Sequence, residues 1–293
     1  MHIPDEQRPP EDSRSQPAQN GDQNQEQPPD QGQDQEAEHR RSPSGKVVYA
    51  AILKEADEEL DRPSSALFWS GLAAGLSMGF SFIAEAVLRA RLPESEWSPL
   101  IVKLGYSVGF VVVILGRQQL FTENTLTPML PLLQRKDLQT LVNVLRLWGV
   151  VFLANMLGAL AVGWVCARTG AFDPQVRHQF VALGHQAMAH PFGETLLRAV
   201  FAGWLIAILV WMLPYAESSH FFVIIVITWL IGVGHFSHVV AGAVQVFALG
   251  SAGQKPWGEI LAFFLLPTLL GNIIGGVTLV AALNHAQVEA GKK

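Results

Sequence analysis

Two histidines three residues apart, His235 and His238, stand inside the segment Gly232 to Phe247, GVGHFSHVVAGAVQVF, which is otherwise apolar enough for a membrane-spanning helix. Titratable side chains at bilayer depth are expensive, and non-helical backbone survives there only when it is buried in protein or lines a water-filled cavity. The stretch is therefore a candidate site, with its backbone broken near Gly234. A second interruption, GRQQLFTENTLTP from Gly116 to Pro128, sits at the matching place in the first half of the chain. Paired broken helices in corresponding positions are a sequence pointer to a transport site.

Three chemistries are open to the histidines. As metal ligands, His235 and His238 have an i, i+3 spacing, but a catalytic zinc takes about three protein ligands, and Glu123 is the one carboxylate at a break that could assist. As structural groups, one of them hydrogen-bonds backbone freed by the break. As a titratable centre, a histidine near neutral pH hands a proton or a positive charge to a passing solute. In the other break Gln118, Gln119, Thr122, Glu123, Asn124 and Thr125 offer donors and acceptors at a depth where lipid offers none, and some of them must cap half-helix ends. Thr122, directly after the bulky Phe121, is the candidate for a pore-facing hydroxyl beside an apolar constriction. Glu123 belongs either to the path or to a polar network with Asn124.

The elements that hold these residues are membrane spans. The 293-residue chain is 49% apolar and 15% charged, where a soluble domain carries roughly 25% charge. Residues 1–45 hold ten acidic and four basic side chains, so the rest of the chain has 16 basic against 15 acidic groups. That balance excludes a nucleic-acid-binding face. The lone cysteine, Cys166, cannot form an intrachain disulfide and sits in an apolar run, as a packed thiol does.

Residues 1–45, rich in Gln, Pro, Asp and Glu, are expected to be a disordered acidic tail, because they cannot bury enough apolar surface to offset the entropy of ordering. They lack the pattern of a secretory signal peptide. A short helix is expected over 46–62, with Val48, Ile52, Ala56 and Leu60 on one face, lying in the cytoplasm or the interface. The transport domain is expected over 63–285, followed by a short tail, 286–293. Its candidate spans are 66–88, 99–133, 143–166, 195–213, 220–250 and 259–283, each near or above the roughly 20 residues that cross a hydrocarbon core. The second and fifth are overlong and carry the interruptions. Gly71, Gly75 and Gly79 place a small-residue stripe on the first span for close helix packing.

An internal repeat divides the chain. Ala154-Asn155-Met156-Leu157-Gly158 in the third span and Gly271-Asn272-Ile273-Ile274-Gly275 in the sixth both read small, Asn, two apolar, Gly. Three spans per half give the halves opposite topology, the inverted 3+3 repeat of many transporters. Asn155 and Asn272 are expected to hydrogen-bond between helices. Lysine and arginine near the span ends number seven on either side, so charge bias leaves the orientation open. The absence of a signal peptide before the acidic tail favours a cytoplasmic N terminus.

Over residues 60–285 the chain resembles the formate/nitrite transporter family. Leu120-Phe121-Thr122 followed by Asn124, and Phe236-x-His238-x-x-Ala241, carry the resemblance, supported by Trp204-Leu205, Val210-Trp211-Met212 and Gly75-Leu76-x-x-Gly79-Phe80. It is closest to a divergent bacterial inner-membrane branch with a long polar N-terminal extension. The resemblance implies an all-α, aquaporin-like fold of six helices, a homopentamer with a path through each protomer, and a small monovalent anion or weak acid as solute. It implies no cofactor, no metal and no enzymatic activity. By position it makes His238 the central histidine and Thr122 the threonine of the other loop.

The chain departs from that pattern at Ser237, where an acidic residue usually precedes the histidine, at Gly242, usually asparagine, and at Gly203, also usually asparagine. The lysine expected before span four is missing, with Ala187 near its place; His185 or His190 is the candidate replacement as a vestibule charge. The expected function is a channel or secondary transporter for a formate- or nitrite-like anion or its conjugate acid, with proton-linked passage at His238. The alternatives are a neutral-solute channel of the same fold, a membrane-embedded metal enzyme, or a non-transporting membrane protein.

Overall fold

The computed structural model describes residues 45–216 and 219–284. The acidic tail expected over 1–45, apart from Gly45, and the C-terminal tail 286–293 lie outside the described residues. Every regular element among the described residues is helical: α1 (Gly45–Asp61), α2 (Ser64–Arg91), α3 (Ser98–Val102), α4 (Leu104–Leu115), α5 (Met129–Arg135), α6 (Leu138–Arg168), α7 (Pro174–Ala187), α8 (Phe192–Met212), α9 (His220–Val233), α10 (Val239–Ser251), α11 (Trp257–Ile260) and α12 (Leu266–Asn284). A π-helical turn at Leu261–Leu265 joins the last two. Five helical stretches are long and apolar enough to cross a membrane: α2, the α3–α4 stretch Ser98–Leu115, α6, α8 and Trp257–Val280. α9 and α10 are equally apolar but only 14 and 13 residues long, and they flank the interruption expected at Gly234.

One helix was hidden in the sequence. Residues 174–187, which fall between the expected spans 143–166 and 195–213, form α7, which buries Val176, Phe180 and Leu183 and packs Phe180 on Phe82 with ring centroids 4.7 Å apart. The i, i+4, i+7 spacing of those residues is the amphipathic signal, obscured by a polar face that is too hydrophilic for a span.

Close helix approach organises both halves. α2 packs along α6 and α8 along α12. A Cβ on Gly75 would lie 2.3 Å from the Asn155 carbonyl oxygen, and one on Gly203 would lie 2.5 Å from the Asn272 carbonyl oxygen. Gly203 therefore stands at a contact where no side chain fits.

The two breaks are built alike. Each first half-helix ends at a glycine, Gly116 or Gly234, followed by a residue in the left-handed region, Arg117 (φ 48°) or His235 (φ 51°). The amide of Gln118 donates to Val113 O and that of Arg117 to Ile114 O; Phe236 donates to Ile231 O and His235 to Gly232 O. These are the paired 6→1 and 5→2 bonds of a Schellman ending, and they give His235 a structural role, the turn that stops α9.

Beyond the turns, one asparagine brackets each loop. Asn155 accepts from Phe121 N at 2.9 Å and donates to Gln119 O at 2.9 Å and Gly71 O at 2.7 Å. Asn272 accepts from Val239 N at 2.9 Å and donates to Ser237 O at 2.9 Å and Ala199 O at 2.8 Å. Both side chains are fully buried. Backbone without a partner costs several kcal/mol in a bilayer, so each carboxamide satisfies two main-chain groups of a break and ties that break to the first helix of its own half.

α1 adds an outer tie to the first break. Its buried face is Val48, Ile52, Ala56 and Leu60. Glu59 accepts from Gln119 Nε2 at 3.0 Å and Thr127 Oγ1 at 2.9 Å, and Gln119 Oε1 accepts from Asn124 Nδ2 at 2.8 Å. Burial pushes the Glu59 carboxyl above the usual carboxylate range, against the opposing effect of those two donors.

Asn155→Leu and Asn272→Leu should each destabilise the protein by about 2–4 kcal/mol, the cost of orphaning two buried backbone groups, read as a lower unfolding midpoint in detergent. Because the folded carboxyl of Glu59 is raised, its contribution to stability is complete below the ordinary carboxylate range and is lost as pH rises through the raised value. Glu59→Gln should flatten that decline above the ordinary carboxylate range, checked by thermal unfolding at each pH.

Candidate functional site

The two breaks meet at one hydrogen bond. Thr122 Oγ1 and His238 Nε2 lie 2.7 Å apart, 116 residues apart in the chain, with Thr122 and His238 0% and 1% exposed. His238 also caps α10: the amide of Ala241 donates to its Nδ1 at 3.1 Å. An acceptor at Nδ1 carries no hydrogen in the neutral ring, so the ring hydrogen sits on Nε2. Nε2–H donates to Thr122, and the threonine's own hydroxyl hydrogen is left to donate elsewhere. Phe110 closes one side of the imidazole edge to face, with ring centroids 4.9 Å apart.

Two cavities adjoin the breaks. The first, about 250 Å³, reaches His238 and is lined also by Lys103, Gln186, Arg198, His235 and Phe264. The second, about 510 Å³, lies beside α1 and is lined by Glu55, Glu59, Arg117, Gln118, Glu123 and Asn124. Thr122 thus has its hydrogen-bond partner on one cavity and its chain neighbour Glu123 on the other. The first cavity has only cationic charged residues in its wall, whereas the second mixes carboxylates with cations.

The remaining candidate residues fall in distinct places. Phe121 is buried against Phe152 and Trp148 of α6, with ring centroids 5.1 Å and 6.1 Å away, and lines neither cavity. Asn124 sits in the Glu59–Gln119 network, and its carbonyl accepts from Trp148 Nε1 at 2.6 Å. Glu123 lines the second cavity, and its Oε1 is buried without a partner. His190 lines the first cavity but is held by Glu194 at 2.8 Å. His185 is exposed on α7 and lines neither cavity, so the structure does not place it as a vestibule charge. Among the described residues no three His, Cys, Asp or Glu side chains gather as a metal site.

Sequence reading missed three contributors. Lys103 stands at the N-cap of α4 and pairs with the fully buried Glu85 of α2, a contact across two spans that no local spacing reveals. Arg198 projects from the first turns of α8 into the cavity and donates to His235 O at 3.3 Å. Phe264, from the π-helical turn, fills the space that Gly242 leaves: a Cβ on Gly242 would lie 2.2 Å from the Phe264 ring. The glycine was visible in the sequence as a missing side chain; what occupies the gap was not.

Comparison with known proteins agrees with this geometry. The family description "Formate/nitrite transporter" matches residues 46–286. The chain is 40% identical over 261 residues to the inner membrane protein YfdC of Escherichia coli, covering 89% of this chain and 84% of that one. It is 27% identical over 238 residues to the formate channel BtFdhC of Bacillus thuringiensis, covering 78% and 89%. A solved pentameric formate channel with formate bound superposes with a TM-score of 0.63 at 20% identity, over 75% of this chain and 95% of that one. The shared fold, the extent of the match and the paired broken helices place this chain in the formate/nitrite transporter family, whose members are channels and transporters and not enzymes.

Proposed function

We propose that the chain is a channel or secondary transporter for a small monovalent anion of formate or nitrite type, passed as its conjugate acid across the Thr122–His238 pair. The observation that carries this reading is the buried 2.7 Å contact between the two breaks, with a threonine hydroxyl hydrogen still unassigned. Similarity to the formate channel BtFdhC supports the solute class. Six spans in an inverted 3+3 arrangement, five protomers in a ring as in the solved pentameric formate channel, and residence in a bacterial inner membrane with the N terminus cytoplasmic complete the proposal; YfdC, the relative of 40% identity, is an inner membrane protein.

A bare anion pays a large desolvation cost in the dry zone formed by Phe110, Phe264 and the buried pair, with Phe121 packed behind Thr122, whereas a neutral acid pays little. With Nδ1 occupied by the Ala241 amide, the resting ring is neutral and offers a dipole rather than a charge. An anion arriving at the Thr122 hydroxyl favours the imidazolium electrostatically. A proton from the first cavity then binds Nδ1 in place of the cap, a helix-capping loss of about 1 kcal/mol, and the Nε2 proton moves through the Thr122 hydroxyl to the anion. The hydroxyl ends as it began and the acid leaves neutral, while the ring is left with its hydrogen on Nδ1; it resets by losing that proton to the first cavity and taking one up at Nε2 from the same side, which restores the Ala241 cap. One proton travels with one anion.

A second reading, passage of a neutral small solute, draws on Phe264 over Gly242, which makes the wall beside His238 apolar. It is separated by osmotic shrinkage of proteoliposomes in a neutral solute with no response to formate.

Formate uptake into proteoliposomes should rise by roughly tenfold from about pH 8 to about pH 5, within the span general acid–base steps contribute. His238→Asn should abolish that rise and Thr122→Val should lower flux by tenfold or more, while Thr122→Ser stays near wild type. A His238→Asn profile that still rises with acidity removes the ring from the proton path.

A further inference from the structure

We infer that the first cavity holds a dedicated entry site for the anion, centred on Arg198, separate from the Thr122–His238 pair and preceding it. The inference rests on the transport reading for its purpose but not for its chemistry. The charged side chains lining this cavity are Lys103 and Arg198, with no carboxylate in the wall. Lys103 is spoken for, because its Nζ pairs with Oε1 of the fully buried Glu85. His190 is held by Glu194, and Arg89 by the Gln186 amide at 3.3 Å. No carboxylate among the described residues pairs with Arg198.

Arg198 gives one N–H to the His235 carbonyl. A guanidinium has five N–H donors in a planar fork that fits a carboxylate or nitrite edge on, so four remain for a ligand. The loop in front of it is held still. Gln186 Oε1 accepts from Arg89, which turns its Nε2 toward His235 Nδ1 at 3.1 Å, and His235 occupies its left-handed turn with its carbonyl toward Arg198. The cation is thus fixed against the same loop whose last residue is His238. A volume of about 250 Å³ holds a one-carbon or triatomic anion with several waters, each needing about 30 Å³.

Formate uptake is measured against formate concentration, alongside the formate- and nitrite-dependent rise in unfolding midpoint of the detergent-solubilised protein. Arg198→Gln should raise the half-saturating concentration about tenfold in both assays with the pH profile of uptake retained, and Arg198→Lys should raise it less. Ala187 lines the same cavity and touches none of these contacts; Ala187→Lys should lower the half-saturating concentration severalfold and rescue Arg198→Gln. Unchanged concentration dependence in Arg198→Gln overturns the site. Should Arg198→Gln not fold, failure of Ala187→Lys to move either curve overturns it. Arg198-dependent stabilisation by formate or nitrite in a protein that moves neither anion keeps the site and refutes the transport reading, and no anion-dependent stabilisation together with no uptake overturns both.

Discussion

Helix breaks inside a membrane leave amides and carbonyls with no water to satisfy them, and the structure turns on how this chain meets that demand twice. Asn155 and Asn272 occupy equivalent positions of the internal repeat and make equivalent bonds, each bridging an amide and a carbonyl two residues apart in its loop and a carbonyl on a neighbouring helix. With the Schellman endings upstream, the loops become defined surfaces rather than frayed ends. Only then can a side chain from each meet at 2.7 Å. Glycine at 75 and 203 is the accompanying requirement, since the asparagine backbones must come within Cβ-excluding distance of the partner helix.

The repeat is symmetric in scaffold and asymmetric in chemistry. The residue at the second loop that caps its half-helix is His238, whereas Leu120 stands in the matching place of the first; Thr122 comes from two residues later. One loop therefore supplies a ring with both nitrogens engaged, the other a hydroxyl, and the proposed proton path runs between unlike partners. The surroundings differ too. Cations line the cavity beside His238, while the cavity beside Thr122 carries Glu55, Glu59 and Glu123 and is covered by α1.

Much of this was legible in the chain. The breaks at Gly116 and Gly234 follow from glycine and polar residues interrupting apolar runs, and the Ala-Asn-x-x-Gly and Gly-Asn-x-x-Gly pair betrayed the repeat. Periodicity could not reveal contacts between segments distant in sequence. Glu85 with Lys103 and Gly242 with Phe264 depend on which spans are neighbours, and Arg198 looked like an ordinary charge at a helix end. His235 shows the opposite limit: its spacing from His238 invited a metal or titratable role, yet its left-handed backbone and its bonds to Gln186 and Arg198 make it part of the loop's frame.

In the proposed mechanism anion and proton cross together at the Thr122–His238 pair. Simultaneous recording of formate uptake and internal pH in proteoliposomes at zero membrane potential tests it most directly. One proton should enter with each formate, with no net charge moved; formate current without proton uptake would rule out coupled passage.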